Sequence, residues 1–187
     1  MKQTKHPHFF AAVPLPDNIQ SVLAERSLEW RERWPFRKWV HSADYHITLH
    51  FLGGCSPALV TQVKDRLTQI TGSPFTIETD YLGFFGQRHK PRILWAGISG
   101  EVARLHRLRD DVVAALEPFG FPAERRPYRP HITLAKNYQG NHFPAEQLAS
   151  VPFSQTPPLR WEVKQFVLYQ THLARTPMYE IVGRYAL

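Results

Sequence analysis

The 187-residue sequence predicts an α+β fold with mainly antiparallel pairing, and three observations carry that prediction. Strand-like and helix-like segments are mixed without the regular βαβ alternation that a parallel sheet needs. A hydrophobic fraction of 43%, with five Trp, seven Tyr and twelve Phe, supplies a packed interior. The four residues His46-Ile47-Thr48-Leu49 return in the second half of the chain as His131-Ile132-Thr133-Leu134. The length exceeds the common domain size of about 100–150 residues but is short for two independent cores, so a single domain of two lobes over residues 1–187 is expected.

Taken in order, Phe9 to Val13 read as a buried strand, and Pro14, Pro16 and Asp17 punctuate entry to a helix. Ile19, Val22, Leu23, Trp30 and Trp34 recur at near-helical spacing until Pro35 ends the run, and residues 37–40 and 45–52 follow as extended chain. Ser56 and Pro57 are a favourable N-cap and first residue for a second helix. Leu59, Val60, Val63, Leu67 and Ile70 form its inward stripe, and Gly72 stops it.

Strands are expected at 75–84 and 93–98, separated by a turn bearing Gly86, Arg88, His89, Lys90, Pro91 and Arg92. Leu105, Leu108, Val112 and Leu116 mark a third amphipathic helix, which Pro118 and Gly120 terminate before the extended stretch 128–136. Strands at 161–170 and 179–185 complete the chain, and the Pro-rich piece 151–158 reads as a loop.

The formal charge of +7 and pI of about 9.8 favour polyanionic partners without identifying one. Cys55 is the only cysteine, so no internal disulfide forms, a reducing compartment is expected, and this thiol reads as a small residue after the Gly53-Gly54 turn. The first residues carry Lys2 and Lys5, but the apolar run 9–13 is cut by Pro14, which makes a poor signal peptide. No apolar stretch approaches the ~20 residues of a membrane span. A soluble, cytoplasmic monomer with no membrane association is expected.

The duplicated tetrapeptide carries the chemistry. Alternate side chains of a strand point to opposite faces, so each copy places His and Thr on one face and Ile and Leu on the other. Two such strands related by a pseudo-two-fold axis present two imidazoles and two hydroxyls to one cavity between the halves. Imidazole titrates near 6.5, so one ring accepts a proton from water while the other donates one to a leaving alkoxide. Threonine hydroxyls donate to the non-bridging oxygens of a phosphate, where charge accumulates. The repeat makes the two positions near-equivalent and does not separate acid from base.

The same residues admit competing readings. By strict alternation His46 and His50 share a strand face, which raises metal ligation, but the only acidic neighbour is Asp44, and no Cys pair or H-E-x-x-H is present. No metal and no cofactor are expected, and His50 reads as a residue at the surface or supporting the site from the far end of the strand. A histidine-triad hydrolase would place His where Thr48 stands.

These residues resemble the 2H phosphoesterases, and within them the bacterial RNA 2′,3′-cyclic phosphodiesterases, also called 2′-5′ RNA ligases. The likeness rests on Phe9-Phe10-Ala11-Ala12-Val13-Pro14-Leu15-Pro16, His46-Ile47-Thr48-Leu49-His50-Phe51-Leu52-Gly53, Ile93-Leu94-Trp95-Ala96-Gly97 and Arg129-Pro130-His131-Ile132-Thr133-Leu134-Ala135-Lys136. It implies a bilobal fold in which two mainly antiparallel sheets flank a central basic cleft, with helices outside. It implies His46 as proton donor to the leaving 3′ oxygen, His131 as the base that activates water, Thr48 and Thr133 as phosphate ligands, and a 2′-phosphate product. Substrates would be RNA ends or nucleoside 2′,3′-cyclic phosphates.

Two positions depart from the pattern. Lys136 stands where relatives often carry Arg, offering a point charge to phosphate or base in place of a fork, and Thr171 stands where relatives often have Ser. Phe10 is the candidate stacking platform for a terminal base. Arg31, Arg33, Arg37 and Lys38, then Arg88, Lys90 and Arg92, then Arg125, Arg126 and Arg129 cluster as basic groups able to steer RNA. Ligation of tRNA halves through a 2′-5′ bond uses the same residues, and a non-catalytic RNA-binding module is the remaining alternative.

Overall fold

The computed structural model of the chain describes residues 6–79, 81–150 and 158–187. Lys2 and Lys5 lie outside these residues, as does the expected 151–158 loop apart from Pro158. In chain order the elements are β1 (His8–Pro14), α1 (Asp17–Arg33), β2 (Phe36–Trp39), β3 (His46–Gly54), α2 (Pro57–Leu67), β4 (Phe75–Thr79), β5 (Leu82–Gln87) and β6 (Lys90–Gly97). They continue with β7 (Ser99–Gly100), α3 (Val102–Leu116), β8 (His131–Tyr138), β9 (Leu159–Val163), β10 (Gln165–Thr171) and β11 (Tyr179–Ala186).

The fold is α+β with two antiparallel sheets. The larger has eight strands in the order β11-β10-β1-β3-β8-β6-β5, with β2 also paired to β8, and the smaller runs β7-β4-β9. Outward from the junction β3 is followed by β1 and then β10, and β8 by β6 and then β5, so the two copies of the tetrapeptide hold corresponding places in the sheet. The two halves of the large sheet join at a single ladder position, Ile47 opposite Ile132, and both side chains are fully buried. The surfaces that flank the junction are therefore the two halves of this one sheet.

Strand β1 is apolar from Phe9 onward because both its faces are covered there. Phe9, Ala11 and Val13 belong to the main core, while Phe10 and Ala12 pack on the other face with Val167 and Tyr169. In α3, Leu105, Leu108, Val112 and Leu116 are buried at the predicted spacing, and Gly120 follows with φ +89°, a left-handed backbone that glycine adopts without a Cβ clash. Ser56 caps α2 by accepting a hydrogen bond from the Leu59 N–H at 3.3 Å. That helix ends at Leu67, before Gly72, and Ile70 packs on the core from the segment that follows. Among the described residues no helix is long and apolar enough to cross a membrane.

Two predicted strands are each two strands. The stretch 75–84 is β4 and β5, and 161–170 is β9 and β10; in each case the first piece lies in the small sheet and the second in the large one. Strands β4 and β9 pair with each other, so the two runs change sheet together. Alternation reports which side chains are buried and is silent on which strand supplies the ladder, because both sheets bury one face in the same core.

Candidate active site

Ile47, Leu49, Ile132 and Leu134 are all buried, while His46, Thr48, His131 and Thr133 are half-buried on the opposite face. With Ile47 opposite Ile132 in an antiparallel ladder, the next positions bring Thr48 beside His131 and His46 beside Thr133. The four predicted residues thus converge on one face at the junction of the halves.

Each histidine is held in the same way. His46 Nδ1–H donates to the Asp44 carbonyl at 2.7 Å, and His131 Nδ1–H donates to the Arg129 carbonyl at 2.7 Å. In the neutral ring this leaves Nε2 as the atom that exchanges protons. His46 Nε2 meets Thr48 Oγ1 at 3.1 Å. The rings are walled by aromatics: Phe10, Tyr179 and Tyr169 stand 4.8, 5.1 and 5.7 Å from His46, and Phe85 and Trp95 stand 4.9 and 6.1 Å from His131. The Trp95 indole fits because Gly83, its ladder partner, has no Cβ to meet it.

Burial among these rings pushes His46 down to about 4, and the positive charges of His131 and Lys136 act in the same direction against the Asp44 carbonyl. Burial likewise lowers His131, opposed by the Arg129 carbonyl. The effect of the His131 and Lys136 charges on His46 places the three groups within one electrostatic neighbourhood.

A bulge recurs in both copies. Along β3 the partners of Ala12 and Ala11 are Thr48 and His50, so Leu49 is the extra residue; along β8 the partners of Trp95 and Leu94 are Thr133 and Ala135, so Leu134 is extra. The bulge inverts the facing of the residues that directly follow it. His50 turns into the core, is 4% exposed, and its Nε2 bonds the Phe121 carbonyl at 3.0 Å. It therefore does not share a face with His46 and is no surface residue, which corrects the expectation from strict alternation. Phe51 and Lys136 are brought instead onto the face of the motif residues.

Phe10 is also reassigned. It is 2% exposed and packs beneath the His46 ring against Phe51, Tyr169 and Tyr179, so it supports the histidine and has no free face for a base. The aromatic on that side with open surface is Phe51, 58% exposed. Lys136 is half-buried beside the pair.

Asp44 was noted in the sequence only as an acidic neighbour. Its buried carboxylate accepts from the Met178 N–H at 2.9 Å and the Tyr179 N–H at 3.0 Å, while its carbonyl holds His46, so it ties the start of β11 to the site. Tyr128 was also missed in this role: its hydroxyl donates to the Thr48 carbonyl at 2.9 Å and links the two halves. An aspartate two residues before the motif is the signal that pointed to Asp44, whereas nothing local marks Tyr128.

Comparison with known proteins identifies relatives of the chain. A family model described as the 2′-5′ RNA ligase superfamily matches residues 19–175. The chain is similar to the RNA 2′,3′-cyclic phosphodiesterase of Bacillus subtilis (strain 168), 35% identical over 184 residues that cover 97% of each protein. It is 39% identical over 186 residues to the RNA 2′,3′-cyclic phosphodiesterase of Geobacillus stearothermophilus, covering 98% of this chain and spanning 58% of the length of that relative. The crystal structure of E. coli LigT complexed with 3′-AMP superposes with a TM-score of 0.75 at 25% identity, over 97% of this chain and 99% of the other. The chain belongs to the 2′-5′ RNA ligase superfamily.

Proposed function

We propose that the chain hydrolyses RNA 2′,3′-cyclic phosphate ends to 2′-phosphates by metal-independent acid–base catalysis. The observation that carries this reading is the convergence of two identically tethered imidazoles and two threonine hydroxyls on one face. His131 Nε2 takes a proton from water, and the water oxygen bonds to phosphorus. The 3′ oxygen leaves and takes the proton from Nε2 of the His46 imidazolium, which leaves the phosphate on the 2′ oxygen. Thr48 and Thr133 donate to the non-bridging oxygens as charge builds there, and Lys136 adds a positive charge beside them.

The assignment of acid to His46 and base to His131 rests on the family resemblance, since both rings have the same tether. The same reading has the protein act as a monomer, as one domain, in the cytoplasm. Membership of the 2′-5′ RNA ligase superfamily favours a second reading, in which an RNA 5′-hydroxyl replaces water and a 2′-5′ bond forms; excess water favours hydrolysis.

The test is turnover of cytidine 2′,3′-cyclic phosphate in excess chelator by wild type, His46→Ala and His131→Ala. Activity should persist with chelator and fall by ~10²–10⁴-fold in each variant. Loss with chelator, or survival of both variants, refutes the mechanism.

A further inference from the structure

Beside the motif residues lies a cavity of about 110 Å³, several times the ~10–15 Å³ that one water needs. Its lining includes Lys38, His41, Asp44, Lys136, Arg175 and Tyr179. Three of these also belong to the site: Asp44 holds His46, the Tyr179 ring stands 5.1 Å from the His46 ring, and the charge of Lys136 acts on His46. The cavity thus adjoins the place where a cyclic phosphate would react.

Its charge is unbalanced. Lys38 is the ladder partner of Lys136, and like charges directly opposite each other destabilise a strand pair. Neither ammonium has a hydrogen bond or ion pair among the described residues. The one acidic group in the lining, Asp44, spends both carboxylate oxygens on the Met178 and Tyr179 N–H groups. Burial lowers the Lys136 pKa and the charge of Lys38 lowers it further, against the Asp44 carboxylate, which raises it. Three cationic side chains, Lys38, Lys136 and Arg175, facing one carboxylate that is already hydrogen-bonded point to an anionic ligand.

Resting on the proposed phosphodiesterase activity, we infer that this cavity takes a second phosphate group, the one on the 5′ oxygen of the nucleotide whose 2′,3′-cyclic phosphate reacts. Lys38 and Lys136 would flank it, with Arg175 at the rim. In an RNA end that group is the internucleotide phosphodiester; in a free nucleotide it is a 5′-phosphate monoester. A nucleoside 2′,3′-cyclic phosphate with a 5′-hydroxyl leaves the cavity without its anion.

Three substrates test this at fixed low salt: cytidine 2′,3′-cyclic phosphate, its 5′-phosphorylated form, and the dinucleotide ApC ending in the same cyclic phosphate. The ratio of kcat/KM for each phosphorylated substrate to that for the 5′-hydroxyl compound is read for wild type and for Lys38→Glu. Both ratios should be about tenfold or more in wild type, the scale of a charge-assisted contact. Both should fall toward one in the variant. Each ratio compares two substrates on one sample, so partial misfolding of the variant does not alter it. A larger ratio for the dinucleotide identifies RNA ends as the source, and a larger ratio for the 5′-monoester identifies free nucleotides. Equal rates on all three overturn the inference and leave the phosphodiesterase reading intact. A dinucleotide advantage that persists in Lys38→Glu, with none for the 5′-phosphate, also overturns it by assigning the gain to the extra nucleoside. Inactivity on every substrate would instead sink the phosphodiesterase reading itself.

Discussion

His46 and His131 make the same Nδ1 bond to a carbonyl two residues upstream, which fixes the tautomer and aims Nε2 at the reacting group. Both rings are lowered by burial, His46 to about 4, so at neutral pH the empty site carries two neutral imidazoles. A general acid needs its proton, and in the proposed reaction a bound cyclic phosphate would supply the opposite charge that favours imidazolium. The sign follows for the rate. Above pH 4 the fraction of free enzyme with a proton on His46 falls as pH rises, so kcat/KM should peak below 6.5, with two apparent pKa values that belong to the coupled pair. The kcat profile, which reports the occupied site, should lie at higher pH. Measuring both profiles checks this, and an alkaline limb of kcat/KM beginning above pH 8 would show that neither buried ring is the acid.

The bulged strands decide which side chains reach the site, and they set a contrast that strict alternation reverses. His50 is enclosed in the core with its Nε2 on the Phe121 carbonyl, while the adjacent Phe51 is exposed. His50→Ala should cost about 1–3 kcal/mol for the lost bond and the space left behind. Phe51→Ala should stay within about 0.5 kcal/mol. Urea midpoints at unchanged m-value read both, and equal costs would contradict the bulge. The alternation of His-Ile-Thr-Leu was legible in the sequence because one face of the strand is buried. Its interruption was legible in only one copy. Leu134 and Ala135 are successive apolar residues and break the period, whereas at Leu49 the same break is hidden because the core residue that follows is a histidine. Phe10 misled for a related reason: an apolar run buried on both faces does not say which aromatic lies under a site and which is open to it.

The whole molecule is two similar half-sheets joined at Ile47 and Ile132 and tied again by Tyr128. The repeated tetrapeptide revealed that there are two halves, but the changes of sheet near residues 80 and 164 and the cavity at Lys38 depend on contacts far apart in sequence and left no periodic trace. Joining the halves encloses His46 and His131 at the seam and His50 beneath it, and all three have lowered pKa values with burial as the leading cause. In the unfolded chain each titrates near 6.5. As pH falls from about 6.5 toward 4, the unfolded state takes up protons that the folded state refuses, so the unfolded state is favoured. Stability should be flat in these groups above about pH 7 and decline below 6.5, with a slope of up to about 1.4 kcal/mol per pH unit for each site. Urea unfolding at pH 7.5, 6.5, 5.5 and 5.0 measures the decline, and His46→Asn should flatten it by removing one of the three groups. A midpoint that held constant or rose on acidification would mean that these rings accept protons as readily in the fold as in water, and the enclosed seam would then be a wrong description of the protein.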